Sequence, residues 1–171
     1  TEAMRQTHTL LIPQMSPMHF QFMETVFNVS GYKAALLPSV DREALDLGLR
    51  YVNNDACFPA IVVIGQLLQA LKSGKYDSDK VAIAISQTGG ACRATNYVAF
   101  LRKALHDCDL SHVPIVPFST NISDEAPGFR LSGKMIQRLL MACHYGDALL
   151  RMLHRCRPYE QEPGNTDRLV E

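Results

Sequence analysis

A three-layer α/β domain, with a parallel sheet of about four strands covered by helices on both faces, is the fold class this sequence predicts. Three observations predict it. Short apolar runs alternate with longer stretches of helical periodicity. Gly, Pro, Ser and Asn punctuate the junctions between them. The run Val81 to Ile85 is apolar at every position, as a strand buried on both faces requires.

Thr7 to Ile12 reads as a short first strand ended by Pro13. Ser16 suits an N-cap and Pro17 a first helical position, opening a helix from about Pro17 to Val29. Phe20, Met23, Val26 and Phe27 form its apolar side, and Gly31 stops it. Tyr32 to Leu37 is the second strand, closed by Pro38 and Ser39. Asp41 to Tyr51 is a helix carrying Ala44, Leu45, Leu47 and Leu49. The next helix runs from about Pro59 to Leu71, with Asn54 or Asp55 as its expected N-cap. A polar connection over 75–80 leads into the third strand, Val81 to Ile85. After a glycine-containing turn, helical spacing resumes to His106. Val113 to Val116 is the fourth strand, with Pro114 marking its beginning or an edge. Residues 118–129 read as irregular. Gly133 to Arg155 is a long helical pattern that Gly146 is expected to kink or divide. Residues 1–160 thus make one α/β domain, and 161–171 a polar tail that reads as cut from a larger multidomain protein. Strand order 2-1-3-4, a Rossmann-like (flavodoxin-like) winding, is expected for such a chain.

Composition excludes several classes. Formal net charge is zero, so the basic footprint of a nucleic-acid binder is missing. No run reaches the roughly 18 apolar residues of a membrane span, and Thr1 to Gln6 lacks the pattern of a signal peptide. Five cysteines are an odd number set within regular elements, with no CxxC pair. That argues against a secreted disulfide framework and for a reducing, cytoplasmic compartment.

The most informative stretch is Ser86 to Asn96, a polar turn that carries the chain from a strand end into a helix start. Open α/β sheets bind their ligands at such points. Gly89 and Gly90 permit close backbone approach, and the free N–H groups of the first turn favour an anion or a thiolate. Cys92 sits there beside Arg93, and both features favour its thiolate. Cys57 occupies a similar loop-to-helix junction before Pro59. Both are equally small residues that could simply fill tight turns. The loops after the first and fourth strands, 14–19 and 118–121, reach the same sheet edge. Asn53, Asn54, Gln87, Thr88, Asn96 and Asn121 crowd that edge.

These residues fit some known chemistries and not others. Arg93 and Thr95 only loosely imitate a Walker loop, and Gly89-Gly90 does not make a dinucleotide fingerprint. A cysteine phosphatase would need an arginine several residues past the cysteine, whereas Arg93 is adjacent and Arg102 lies deep in the helix. A Cys92-dependent transferase or hydrolase is conceivable if His19 or His8 approaches the thiol. Two thiolates on converging loops suit a soft metal or an iron–sulfur cluster. A non-catalytic module binding a small ligand or a partner domain at the sheet edge is the remaining alternative. Cys108, Cys143 and Cys156 share helix faces with Leu and Ala, so helix packing is expected of them.

At four segments the sequence resembles a known family: Leu11 to Phe20, Tyr51 to Ala60, Ser86 to Asn96, and Arg157-Pro158-Tyr159-Glu160. They look like the dehydratase-like segment of large acyl-CoA dehydratase activase-related proteins, itself similar to subunits of 2-hydroxyacyl-CoA dehydratases and benzoyl-CoA reductases. The resemblance covers almost the whole chain, and its Asn-Asp-Ala-Cys and Gln-Thr-Gly-Gly-x-Cys-Arg-Ala-Thr-Asn blocks are long. It implies Rossmann-like domains that hold a [4Fe-4S] cluster through loop cysteines. It further implies low-potential electron transfer to an acyl-CoA thioester, driven by an ATP-dependent activator, in anaerobic bacteria. By position, Cys57 and Cys92 match the cluster cysteines. A third is not evident in this piece, which on its own is expected to be without cluster and turnover. Asn54, Gln87, Thr88, Gly89, Gly90, Arg93, Asn96, Ser16 and His19 would line the cluster or the thioester.

Overall fold

The computed structural model describes residues 2–87, 92–118 and 128–170, apart from the side chain of Arg93. Its centre is a four-stranded sheet of order β2-β1-β3-β4. The strands are β1 Thr9–Ile12, β2 Lys33–Leu36, β3 Val81–Ser86 and β4 Ile115–Phe118. Every neighbouring pair is parallel, with Leu10 opposite Ala34 and Ala82, and Ala84 opposite Val116. The helices are α1 Glu2–Thr7, α2 Pro17–Val29, α3 Arg42–Tyr51, α4 Phe58–Lys72, α5 Tyr97–His106, α6 Gly133–Cys156 and α7 Asn165–Val170. The predicted class and strand order are those observed.

Alternation along the strands sends side chains to two cores. Leu11, Val81, Ile83 and Ile85 pack with Ile64, Leu67 and Leu68 of α4 and with Leu101 and Leu105 of α5. Leu10, Ile12, Ala82, Ala84 and Val116 pack on the opposite face with Val26 and Phe27 of α2 and Met135 and Ala142 of α6. Leu11, Ile64, Leu67, Leu68, Ile83 and Leu101 are fully buried, each contributing about 1.5–3 kcal/mol relative to exposure. Helix α3 lies on α4 through glycines. A Cβ at Gly48 would stand 2.1 Å from the Ile61 carbonyl oxygen, and one at Gly65 would stand 2.0 Å from that of Ala44.

Several boundaries depart from expectation, each for a local reason. Residues Glu2–Thr7 form a helix, where Thr7 was expected to begin the first strand. The His8 amide donates to Met4 O and the Thr7 hydroxyl to Ala3 O, which closes that last turn. The N-cap of α4 is Cys57, not Asn54 or Asp55. Asn53 captures those residues first: its side chain accepts from the Asp55 amide at 2.9 Å and its carbonyl from Ala56. β4 runs on to Phe118, through a proline expected in the loop. Pro117 has no N–H to offer, and its place on the last strand of the sheet makes that tolerable. Gly146 does not divide α6, which is one helix of 24 residues. Residues 165–170, expected as tail, form α7 with Thr166 buried. No helix among the described residues is long and apolar enough to cross a membrane.

Candidate functional site

Helices α4 and α5 pack on the same face of the sheet, and each follows a cysteine loop. Cys57 caps α4 and is half-buried against the first core, because Ala56 and Cys57 pack beside the apolar first turn of that helix. Cys92 caps the short 3-10 turn Arg93–Asn96 and is exposed. Its sulfur accepts from the Ala94 amide at 3.5 Å. Tyr97 begins α5 directly after that turn, with only 7% of its surface exposed. Its hydroxyl lies 3.4 Å from Cys57 Sγ.

Tyr97 records the neighbourhood electrostatically. Burial pushes its hydroxyl well above the usual phenol range, and the hydrogen bond to Cys57 and the charges of the Cys57 and Cys92 sulfurs push the same way. The phenol therefore holds its proton throughout neutral pH and can donate it to sulfur. Two cysteines 35 positions apart in the chain thus act on one hydroxyl. Gln87 secures the turn from the strand side, its amide group donating to Thr95 O at 3.3 Å. Asn54 and Asn96 are exposed, and the Asn96 side chain makes no cap bond. Thr88, Gly89, Gly90 and Asn121, together with the side chain of Arg93, lie outside the described residues.

Ser16 and His19 belong to the other face. Ser16 is the N-cap of α2, yet its hydroxyl makes no cap bond. It meets His19 Nδ1 at 2.8 Å instead, and His19 Nε2 meets Asp147 Oδ1 of α6 at 3.1 Å. His19 is thus held by these two partners, and the conceivable Cys92–His19 pair has no support in these bonds. His8 is likewise engaged, its Nδ1 lying 2.9 Å from the Thr7 hydroxyl. A nearly all-apolar cleft of about 280 Å³ opens on the same face, at the ends of β1, β3 and β4. Ile12, Met15, Phe20, Met23 and Phe118 line it.

Three residues that position these groups escaped the sequence reading. Tyr97 falls at one of the periodic positions of a helix, and no local pattern marks Asp147. Gln66, 2% exposed within α4, accepts from the Gln14 amide and donates to Pro38 O, tying two edge loops to the helix. A polar residue inside the otherwise apolar run Ile61 to Leu68 was the available signal for it. Cys108 and Cys143 are half-buried, as helix packing predicts, but Cys156 is exposed at the end of α6.

Among the described residues no group of three or more His, Cys, Asp or Glu could hold a metal ion. Cys57 meets the Tyr97 hydroxyl and Cys92 acts on it only through its charge; two thiols would be part of an iron–sulfur ligand set, with the rest left to other residues. No family model, characterised protein or solved structure matches this chain.

Proposed function

We propose that the chain is an iron–sulfur-cluster-binding α/β domain of a 2-hydroxyacyl-CoA dehydratase- or activase-like protein. Cys57 and Cys92 would hold a [4Fe-4S] cluster with ligands supplied elsewhere. The reading rests on one observation: Cys57 Sγ lies 3.4 Å from the hydroxyl of Tyr97, the residue that starts α5 directly after the turn Cys92 caps. Soft thiolates on converging loops are the donors such a cluster takes. When bound, the cluster would supply single electrons at low potential to an acyl-CoA thioester. The chain's own part is positional. Gln66 and Gln87 fix the edge loops, the core beneath Cys57 limits water, and the Tyr97 hydroxyl donates to sulfur. The partners this reading calls for are the thioester and further domains of a parent chain, an ATP-dependent activator included.

Anaerobic reconstitution with iron and sulfide tests it. The chain is expected to be colourless as isolated, but when supplied with both elements it should take them up and gain the broad visible absorbance of thiolate-to-iron charge transfer. Cys57→Ser and Cys92→Ser should each lose most of that absorbance. Uptake by both variants equal to the parent's would sink the proposal.

A second reading, a non-catalytic ligand-binding module at the sheet edge, draws on the apolar cleft. It expects chemical-shift changes at Met15, Met23 and Phe118 on titration with a short acyl thioester, with the cysteines dispensable.

A further inference from the structure

We infer that Ser16, His19 and Asp147 form an acyl-transfer relay, in which Ser16 is a nucleophile toward activated acyl groups, esters or thioesters. The inference does not depend on the cluster: of its two proposed ligands, Cys57 packs against the core on the opposite face of the sheet and Cys92 caps the turn before α5.

The proton positions follow from the partners. A carboxylate only accepts, so the 3.1 Å contact with Asp147 Oδ1 puts the ring proton on Nε2. Nδ1 is then left to accept from the Ser16 hydroxyl at 2.8 Å. A serine hydroxyl donating to a histidine whose other nitrogen is held by a carboxylate is the arrangement of an activated serine. The two ring nitrogens exchange their usual partners here, which leaves the direction of proton flow unchanged.

The ring is held from behind as well. A Cβ at position 146 would stand 2.5 Å from His19 Cδ2, so Gly146 makes room for the ring against α6. The His19 side chain is only 17% exposed. A capping role does not account for the geometry, because the Ser16 hydroxyl makes no cap bond and is given to the ring. The amides of Met18 and His19, in the first turn of α2, are consequently free of that cap. Ser16, Pro17 and Met18 also line a cleft of about 520 Å³ whose far side carries Leu150, Leu153 and Arg157. Arg157 is paired there with Asp167, which lines the cleft too, so it is the apolar walls that suit a small acyl group.

The step balances within the chain and water. Ser16 Oγ bonds to the acyl carbon while its proton passes to His19 Nδ1. The carbonyl reforms as the bond to the thiolate or alkoxide leaving group breaks, and that group takes the proton from Nδ1. Water then attacks the acyl-serine, gives a proton to Nδ1, and Ser16 Oγ recovers it as the acid departs. Asp147 is a positioning residue and touches no reacting atom.

A fluorophosphonate probe tests the relay, because it labels only an activated serine hydroxyl. Peptide mapping of the treated chain should show one adduct, on Ser16. His19→Gln should slow labelling by about 100-fold or more. Asp147→Ala should slow it as well, and Asp147→Glu should restore most of the rate, which loss of a structural contact alone would not explain. Asp147 is largely exposed, so these two variants are expected to fold. No adduct on Ser16 in the folded parent chain, or a rate unchanged by His19→Gln and by Asp147→Ala, overturns the inference.

Discussion

Single residues decide the chemistry on each face. Among the described residues Tyr97 and Tyr32 are buried phenols with a hydrogen bond, Tyr32 accepting from the Arg130 amide at 3.0 Å. The Tyr97 bond ends on a sulfur, so its loss should be read at that sulfur. Tyr97→Phe removes the donor and keeps the ring, costing about 0.5–1.5 kcal/mol of stability. The more specific outcome is chemical. A hydrogen bond to the charged form favours it, so without the donor Cys57 should alkylate more slowly at neutral pH. Timed alkylation in a Cys92→Ser background measures this. An unchanged rate would mean that the 3.4 Å contact does not act on the thiol. The cysteines of this site were legible in the sequence because two similar loop-to-helix junctions each carried one. Tyr97 and Asp147 were not, because their partners lie 40 and 128 positions away and no local pattern announces such a contact.

At the scale of elements, glycines set the distances that bring these residues together. α3 and α4 touch backbone to backbone, since a Cβ at Gly48 or Gly65 would fall within 2.1 Å of a main-chain oxygen. Carbonyls cannot move aside as a flexible side chain can, so either substitution must part the helices. Gly65→Ala is expected to cost about 1–3 kcal/mol or more, measured by urea unfolding. Gly74→Ala is the control for loss of a glycine elsewhere: its position is open in space but strained by a φ of +72°, so its cost should be that of the backbone alone. Because α4 carries Cys57 at its start, Gly65→Ala should also weaken the reconstituted visible absorbance more than Gly74→Ala does. Element identities were readable from period and caps. Asp41 caps α3 and Ser132 caps α6, as their side-chain bonds to the Ala44 and Met135 amides show. Ends were read less well where two capping residues competed, as Asn53 and Cys57 do, or where a strand at the edge of the sheet tolerates Pro117.

For the whole molecule, the apolar run Val81 to Ile85 already implied a sheet covered twice, and that symmetry of burial gives the chain two independent faces. What ties the peripheral elements to this frame is partly ionic, and it should respond to pH in one direction. The Ala44 amide, then Gln69, holds the Asp41 carboxyl below the usual range. Lys103, then His106, does the same for Asp107, and the Gly164 and Thr166 amides do it for Glu160. These carboxylates sit at the start of α3, beyond the end of α5 and before α7. Each group binds its proton less readily folded than unfolded, so the unfolded chain takes up more protons as the medium becomes acid. Their contribution is therefore complete above about pH 5, and drains away as pH falls below the ordinary carboxylate values near 4. Asp41 and Asp107 are exposed and Glu160 half-buried, so the effect is modest and salt-sensitive. Melting temperature should be flat from neutrality to about pH 5 and then fall, and Asp41→Asn with Glu160→Gln should make that fall shallower. General repulsion among cations at low pH acts on the parent and the variant alike, so the difference between their two curves isolates these carboxylates. A slope below pH 4 as steep in the double variant as in the parent would place the acid sensitivity in other groups.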